Sequence, residues 1–171
     1  MKDELEKCFR GSKETPPRLI MKKPNLVLAE EHLEKAETNL LAMEKMFESK
    51  FFDWTIVTAY YSMYHAVLAA LWVIGLDARS HECAISAFER FYAKKGKVGS
   101  EYFEYLKRAK ALGERYLESL EKVRMLRVQA SYGIGEIKSA DALFARTNAK
   151  DFVMAVKKIV YEAKGLGYYQ I

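Results

Sequence analysis

WTIVTAYYSMYHAVLAALWVIGL, running from Trp54 to Leu76, contains no Asp, Glu, Lys or Arg. A run of this length could cross a bilayer. Thr55, Thr58, Ser62 and His65 interrupt it, however, and its edges carry the acids Asp53 and Asp77, where a membrane span carries basic anchors. Apolarity around most of a helix also marks the central helix of a soluble bundle. The segment therefore predicts a core helix ending at Gly75, with no membrane crossing, against which amphipathic neighbours must pack.

Those neighbours are legible on both sides. Upstream, Ala29, Leu33, Ala36, Leu40, Met43 and Phe47 recur at steps of three and four residues, the stripe of a helix with one buried face. Downstream, Ser80 reads as the N-cap of a third helix with Ala84, Ile85, Phe88, Phe91 and Tyr92 facing inward, closed by the stretch Lys94 to Gly99. A fourth helix is expected from about Ser100 to Ala130, its stripe carrying Leu106, Ala109, Gly113, Tyr116, Leu120, Val123, Arg127 and Ala130. Gly133 and Gly135 stop it. A loop with a short helical turn then leads to Asn148, read as the N-cap of a last helix that buries Phe152, Ala155, Val156, Ile159, Val160 and Ala163. The expected fold is all-α, an antiparallel up-and-down bundle of about five helices. Residues 1–25 form an N-terminal arm that opens with a short helix, 26–165 the bundle, and 166–171 a tail.

Composition agrees with one helical domain. Of 171 residues, 50% are hydrophobic and 30% charged, which is globular composition, and three prolines and nine glycines leave long stretches uninterrupted, so strands should be few or absent. Cys8 and Cys83 lie far apart with no partner at metal-ligand spacing, and read as reduced thiols. With no apolar run before Leu26, no secretory signal is visible and a cytoplasmic protein is expected. The net charge of +5 is unevenly spread: residues 26–93 hold five Lys or Arg against ten acids, residues 94–130 ten against five. A basic half of this kind can steer an anionic partner such as RNA.

No phosphate-binding glycine loop, dinucleotide fingerprint or zinc motif occurs, so neither a cofactor nor a metal is expected. Of the three histidines, His32 neighbours Glu31 and Glu34 and reads as exposed, His65 lies in the aromatic run and reads as a hydrogen-bonded core residue, and His81 opens the third helix with its ring available. Arg127 is the most informative position, because a guanidinium on an apolar stripe must be paired or reach a water-filled groove. Its two readings are an arginine bonded to a carboxylate or to helix-end carbonyls, and a phosphate-binding arginine with Tyr132 close by in sequence.

The segments AYYSMYHAVLAAL (Ala59 to Leu71), SHECAISAFERFYAKKG (Ser80 to Gly96) and LRVQASYG (Leu126 to Gly133) together resemble the prokaryotic HEPN domain family, in order and spacing, across roughly residues 26 to 165. The resemblance implies a helical bundle that dimerises and that is encoded beside a minimal nucleotidyltransferase in toxin–antitoxin pairs. It also implies a motif, Arg-x4-6-His, with which active members cleave RNA without metal. Arg127 matches the arginine, but Tyr132, Gly133 and Ile134 occupy the histidine's window, Val128 follows the arginine, and Ser131 stands where one branch of the family has Asp before Tyr-Gly. Tyrosine titrates near 10, too high for an efficient acid or base at neutral pH. The sequence thus points to a homodimeric RNA- or nucleotide-binding regulator and nucleotidyltransferase partner, with Arg127, Tyr132 and His81 as candidate ligand-binding residues. A metal-independent ribonuclease toxin and a ligand-free interaction scaffold are the alternatives.

Overall fold

Helix α3, Phe52–Val73, is the centre of the structure, a computed structural model that describes residues 2–11, 16–93, 122–128 and 137–165. It is long and apolar enough to cross a membrane, but 72% of its most apolar stretch is buried inside the bundle. Ile56, Ala59, Tyr60, Met63, Ala66, Val67 and Leu71 are inaccessible to solvent. Each large side chain buried in this way contributes roughly 1.5–3 kcal/mol. Helices α2 (Leu26–Glu48) and α6 (Ser139–Gly165) pack along α3 and against each other, and α4 (His81–Phe88) closes a further side. A π-helical turn, Glu89–Ala93, continues α4 and buries Tyr92, whose hydroxyl donates to the Ala70 carbonyl of α3 at 2.6 Å. Residues 122–128 form a helical segment, α5, that inserts Val123 into the core. The rest of the expected fourth helix lies outside the described residues. The all-α bundle read from the sequence is the fold observed.

Register between α2 and α6 is written in charges. Glu30, Glu37 and Glu44 recur every seven residues on α2, and Lys164, Lys157 and Lys150 recur likewise, in reverse, on α6. They pair rung by rung, Glu30 with Lys164 at 2.5 Å, Glu37 with Lys157 at 2.5 Å and Glu44 with Lys150 at 2.7 Å. Arg146 reinforces the last rung, binding both oxygens of Glu44 while its guanidinium lies 4.7 Å from the centre of the Phe47 ring. These hydrogen bonds, led by those from Arg146, hold the Glu44 carboxyl below its ordinary pKa. Each exposed rung contributes only about 0.2–1 kcal/mol. A slip of one residue would break all three.

The turn from α2 to α3 shapes the surface near its end. Lys50 adopts φ 61°, the Phe51 N–H bonds the Met46 carbonyl at 2.8 Å, and the Lys50 N–H bonds that of Phe47 at 3.0 Å. This is a Schellman cap, a motif that commonly brings the side chains at its two ends, here Met46 and Phe51, into contact.

Three expectations are corrected. First, the N-terminal arm opens with the expected short helix but then contributes a strand to a sheet. Helix α1 (Lys2–Arg10) is followed by β1 (Leu19–Met21), which pairs antiparallel with β2 (Leu76–Ala78), Ile20 opposite Asp77. Gly75, at φ 70°, admits this close approach, since a Cβ there would strike the Lys22 carbonyl oxygen. Second, Cys8 and Cys83 are not reduced thiols. The same docking brings their Cα atoms to 5.8 Å, and they form a disulfide between α1 and α4. Third, Asn148 caps nothing. Ala142, Ala145 and Ala149 extend the buried face of Phe152 and Val156 backward in phase, so one helix runs through, with the Asn148 amide donating to the Phe144 carbonyl at 2.8 Å. Alanine's helix propensity and burial outweigh the capping preference of one asparagine.

The bond between Cys8 and Cys83 closes a loop across a sequence separation of 75 residues, and cross-links that restrict the unfolded chain over such spans contribute about 2–4 kcal/mol. Thermal melts with and without reductant should differ by an amount of that order, and a Cys8→Ser variant should melt like the reduced protein. Identical melts, or two titratable thiols in the unfolded oxidised protein, would contradict the linkage.

Candidate anion-binding site

Local helix geometry builds the site from α3 outward. Tyr60 and Tyr64 lie one turn apart on the same face, their rings parallel at 6.2 Å. Ser80 caps α4, its hydroxyl accepting from the Cys83 N–H at 3.2 Å, and so fixes His81 as the first helical residue. The His81 ring stacks on Tyr64 at 3.9 Å with 2° between planes, and Tyr61 meets it edge-on at 6.2 Å. The Tyr60 hydroxyl lies 2.5 Å from His81 Nδ1.

Burial keeps both partners of that hydrogen bond neutral. Burial pushes the Tyr60 phenol above its ordinary pKa, with Arg127 and Arg124 opposing, and burial likewise lifts Tyr64 to about 12. Burial lowers the His81 imidazole, with Arg127 and Arg124 acting in the same direction. A neutral phenol and a neutral imidazole thus share one hydrogen bond, its direction set by the imidazole tautomer, and the other ring nitrogen of His81 is left for a further partner.

Arg127 completes the cluster from α5. Its guanidinium carbon lies 4.8 Å from the centre of the Tyr60 ring, while its Nε is buried without a hydrogen-bond acceptor among the described residues. Among the described residues no carboxylate pairs with it. An aromatic face offsets part of the cost of holding a cation here, but the unmet Nε–H still calls for an acceptor. Arg127 and His81, singled out separately in the sequence, thus meet through Tyr60. Tyr132 lies outside the described residues. Tyr60 and Tyr64 were not singled out for the site, although their four-residue spacing ahead of a helix-capping Ser-His was the available signal. No group of three metal-ligating side chains occurs among the described residues.

The other two histidines form a second pair. His32 is half-buried rather than exposed, because α2 turns it toward α3, and its Nδ1 lies 3.1 Å from Nδ1 of His65. His65 is hydrogen-bonded as expected and also half-buried. Burial depresses both imidazoles, His65 to about 4, with His32 and Lys35 adding to the effect there.

With the geometry in hand, comparison with known proteins gives the family. The HEPN domain profile matches residues 29–165. The chain belongs to the HEPN family. Among its relatives are two proteins of Methanocaldococcus jannaschii. "Putative toxin MJ0142" is 32% identical over 80 residues, 47% of this chain and 54% of that protein. "Putative toxin MJ0605" is 28% identical over 130 residues, 76% of this chain and 87% of that protein. "UPF0332 protein PH1297" of Pyrococcus horikoshii is 32% identical over 77 residues, 45% of this chain and 54% of that protein. The match thus spans about half the length of the first and third relatives and most of the second.

Stability should follow the histidines. An imidazole whose pKa is lower folded than unfolded binds fewer protons in the native state, so acid favours unfolding. The contribution is fully present above about pH 6.5, the unfolded value, and is lost as the pH falls toward the folded value of about 4 for His65. Urea midpoints should rise between pH 4.5 and 6.5 and level off above pH 7, and His65→Gln should flatten that rise. A midpoint falling with pH over this window would contradict the arrangement.

Proposed function

We propose that this HEPN protein binds RNA or a nucleotide through Arg127, with His81 as a second contact, and acts as partner or regulator of a minimal nucleotidyltransferase in a toxin–antitoxin-type system. The observation that carries the binding half is the buried Nε of Arg127, unpaired among the described residues, beside the His81–Tyr60–Tyr64 stack. An incoming phosphate oxygen would satisfy that donor and meet the planar cation that suits it. The relatives named as toxins support the second half. Catalysis is not part of this reading, because Tyr132 to Ile134 supply no histidine and Nδ1 of His81 is already engaged by Tyr60. A cytoplasmic location belongs to the same proposal. The Cys8–Cys83 bond restricts it to a cytoplasm that tolerates disulfides, as that of hyperthermophilic archaea does.

Arg127→Ala should abolish or strongly weaken binding of labelled RNA while costing about 1 kcal/mol of stability, the scale of one cation–π contact. Thermal melting and filter binding of the single variant measure both. A loss of roughly 3–5 kcal/mol would instead mark a buried, paired arginine. RNA cleavage in chelator, lost in the same variant, would favour the metal-independent ribonuclease reading.

A homodimer is part of the proposal. The apolar surface of α3 is largely consumed within one chain, so the surface left for a second copy lies elsewhere, with Leu143, Met154 and Tyr161 exposed along one line of α6. Sedimentation should give a dimer at micromolar concentration, and Met154→Glu should shift it toward monomer. A wild-type monomer at that concentration would count against it.

A further inference from the structure

Trp54, Thr58, Tyr61 and His65 follow one another at three- and four-residue steps on a single line of α3. Trp54 is 61% exposed and Tyr61 37%, unusual for aromatic residues on a helix otherwise sunk in the core. Beside Trp54 the Schellman cap opens a cavity of about 250 Å³, lined by Met46, Phe51, Trp54 and Thr58. Phe51 is also exposed, at 58%. The cavity is smaller than the roughly 300–1,000 Å³ that drug-sized ligands occupy. It suits one flat ring held by apolar walls.

What should fill it follows from its neighbour. Tyr61 reaches from the same line of α3 to the rings of Tyr60 and His81, against which Arg127 lies. Seven residues, or two helical turns, separate Trp54 from Tyr61, so these two residues stand about 10 Å apart along the axis of α3. That is the rise of about three nucleotides in a stacked strand at roughly 3.4 Å each. Aromatic platforms beside a positive groove are the general means of holding single-stranded nucleic acid, since every base offers a π-face and every linkage a charge. An apolar protein partner would not need the cations.

We propose that the cavity at Met46, Phe51, Trp54 and Thr58 is a nucleobase subsite, in which one base of a single-stranded RNA stacks on Trp54 while the backbone runs past Tyr61 so that a phosphate reaches Arg127. The proposal rests on the RNA-binding reading above and adds the strand's path and the base's seat. Thr58 Oγ donates to the Trp54 carbonyl at 2.7 Å, so its hydroxyl is spent within α3 and the cavity takes the base by its face, which every base offers.

The test uses the intact protein with a twelve-residue oligo(A), read by quenching of tryptophan fluorescence and by anisotropy of a 3′-labelled strand. Wild type should bind and quench. Trp54→Ala should weaken binding roughly tenfold or more, the scale of one base–aromatic stack. Trp54→Phe should largely restore affinity without the quench. AMP, carrying one base and one phosphate that cannot occupy both places at once, should bind far more weakly than the oligomer. Full affinity in Trp54→Ala, with binding still lost in Arg127→Ala, would overturn the base subsite and leave the RNA-binding reading standing. AMP binding as tight as the oligomer would overturn the strand path, and no RNA binding by folded wild type would overturn both.

Discussion

Burying α3 on nearly every side is the constraint from which the rest of this structure follows. A helix with no charged residue between Trp54 and Leu76 would, if isolated in water, expose a large apolar surface, and α2, α4 and α6 each cover a face of it. Its small residues, Ala59, Ala66, Ala69 and Ala70, are all fully buried and let those neighbours come close. Its buried Ser and Thr hydroxyls are met locally. Ser62 returns its hydroxyl to the Ala59 carbonyl at 2.8 Å and Thr55 to that of Phe51 at 3.0 Å, so neither needs a partner from another helix.

Hydrophobic burial is not directional and does not by itself decide which residue of α2 faces which residue of α6. The seven-residue ladder from Glu30–Lys164 to Glu44–Lys150 supplies that decision at the rim of the interface. Its rungs are partly exposed and individually weak, but they act together, because a rigid helix cannot satisfy one while slipping at another. The bundle therefore separates two tasks between two kinds of force. The aromatic and aliphatic interior supplies most of the stability, and the charged rim fixes alignment.

The same division explains why the site lies where it does. Tyr60 and Tyr64 are buried with their rings packed, and the cap at Ser80 delivers His81 onto them. Arg127 can lie against this stack because a tyrosine face accepts a cation that an aliphatic one would reject. Burial keeps both the phenols and the imidazole neutral, so the cluster offers hydrogen-bond donors and a positive charge without a carboxylate among the described residues to neutralise it. That is an environment for an anion.

The sequence by itself determined the helical class, the central position of Trp54 to Leu76, the inward faces of α2 and α6, and the place of the cation Arg127 in an apolar stripe. Each is a local property: a periodicity, an absence of charge, or a cation in an apolar stripe can be read without knowing what lies opposite. The tertiary structure decided everything that joins residues distant in the chain. The Cys8–Cys83 bond could not be read from two lone cysteines, because it depends on a two-stranded ribbon bringing residue 20 opposite residue 77. His32 looked exposed among glutamates until α2 was rolled against α3, and Asn148 looked like a helix start until the alanines before it proved to lie in phase with the buried face. Arg127 and His81 became parts of one place only through Tyr60, since the sequence fixes the direction of each side chain on its own helix, whereas the packing of helices fixes which of them meet.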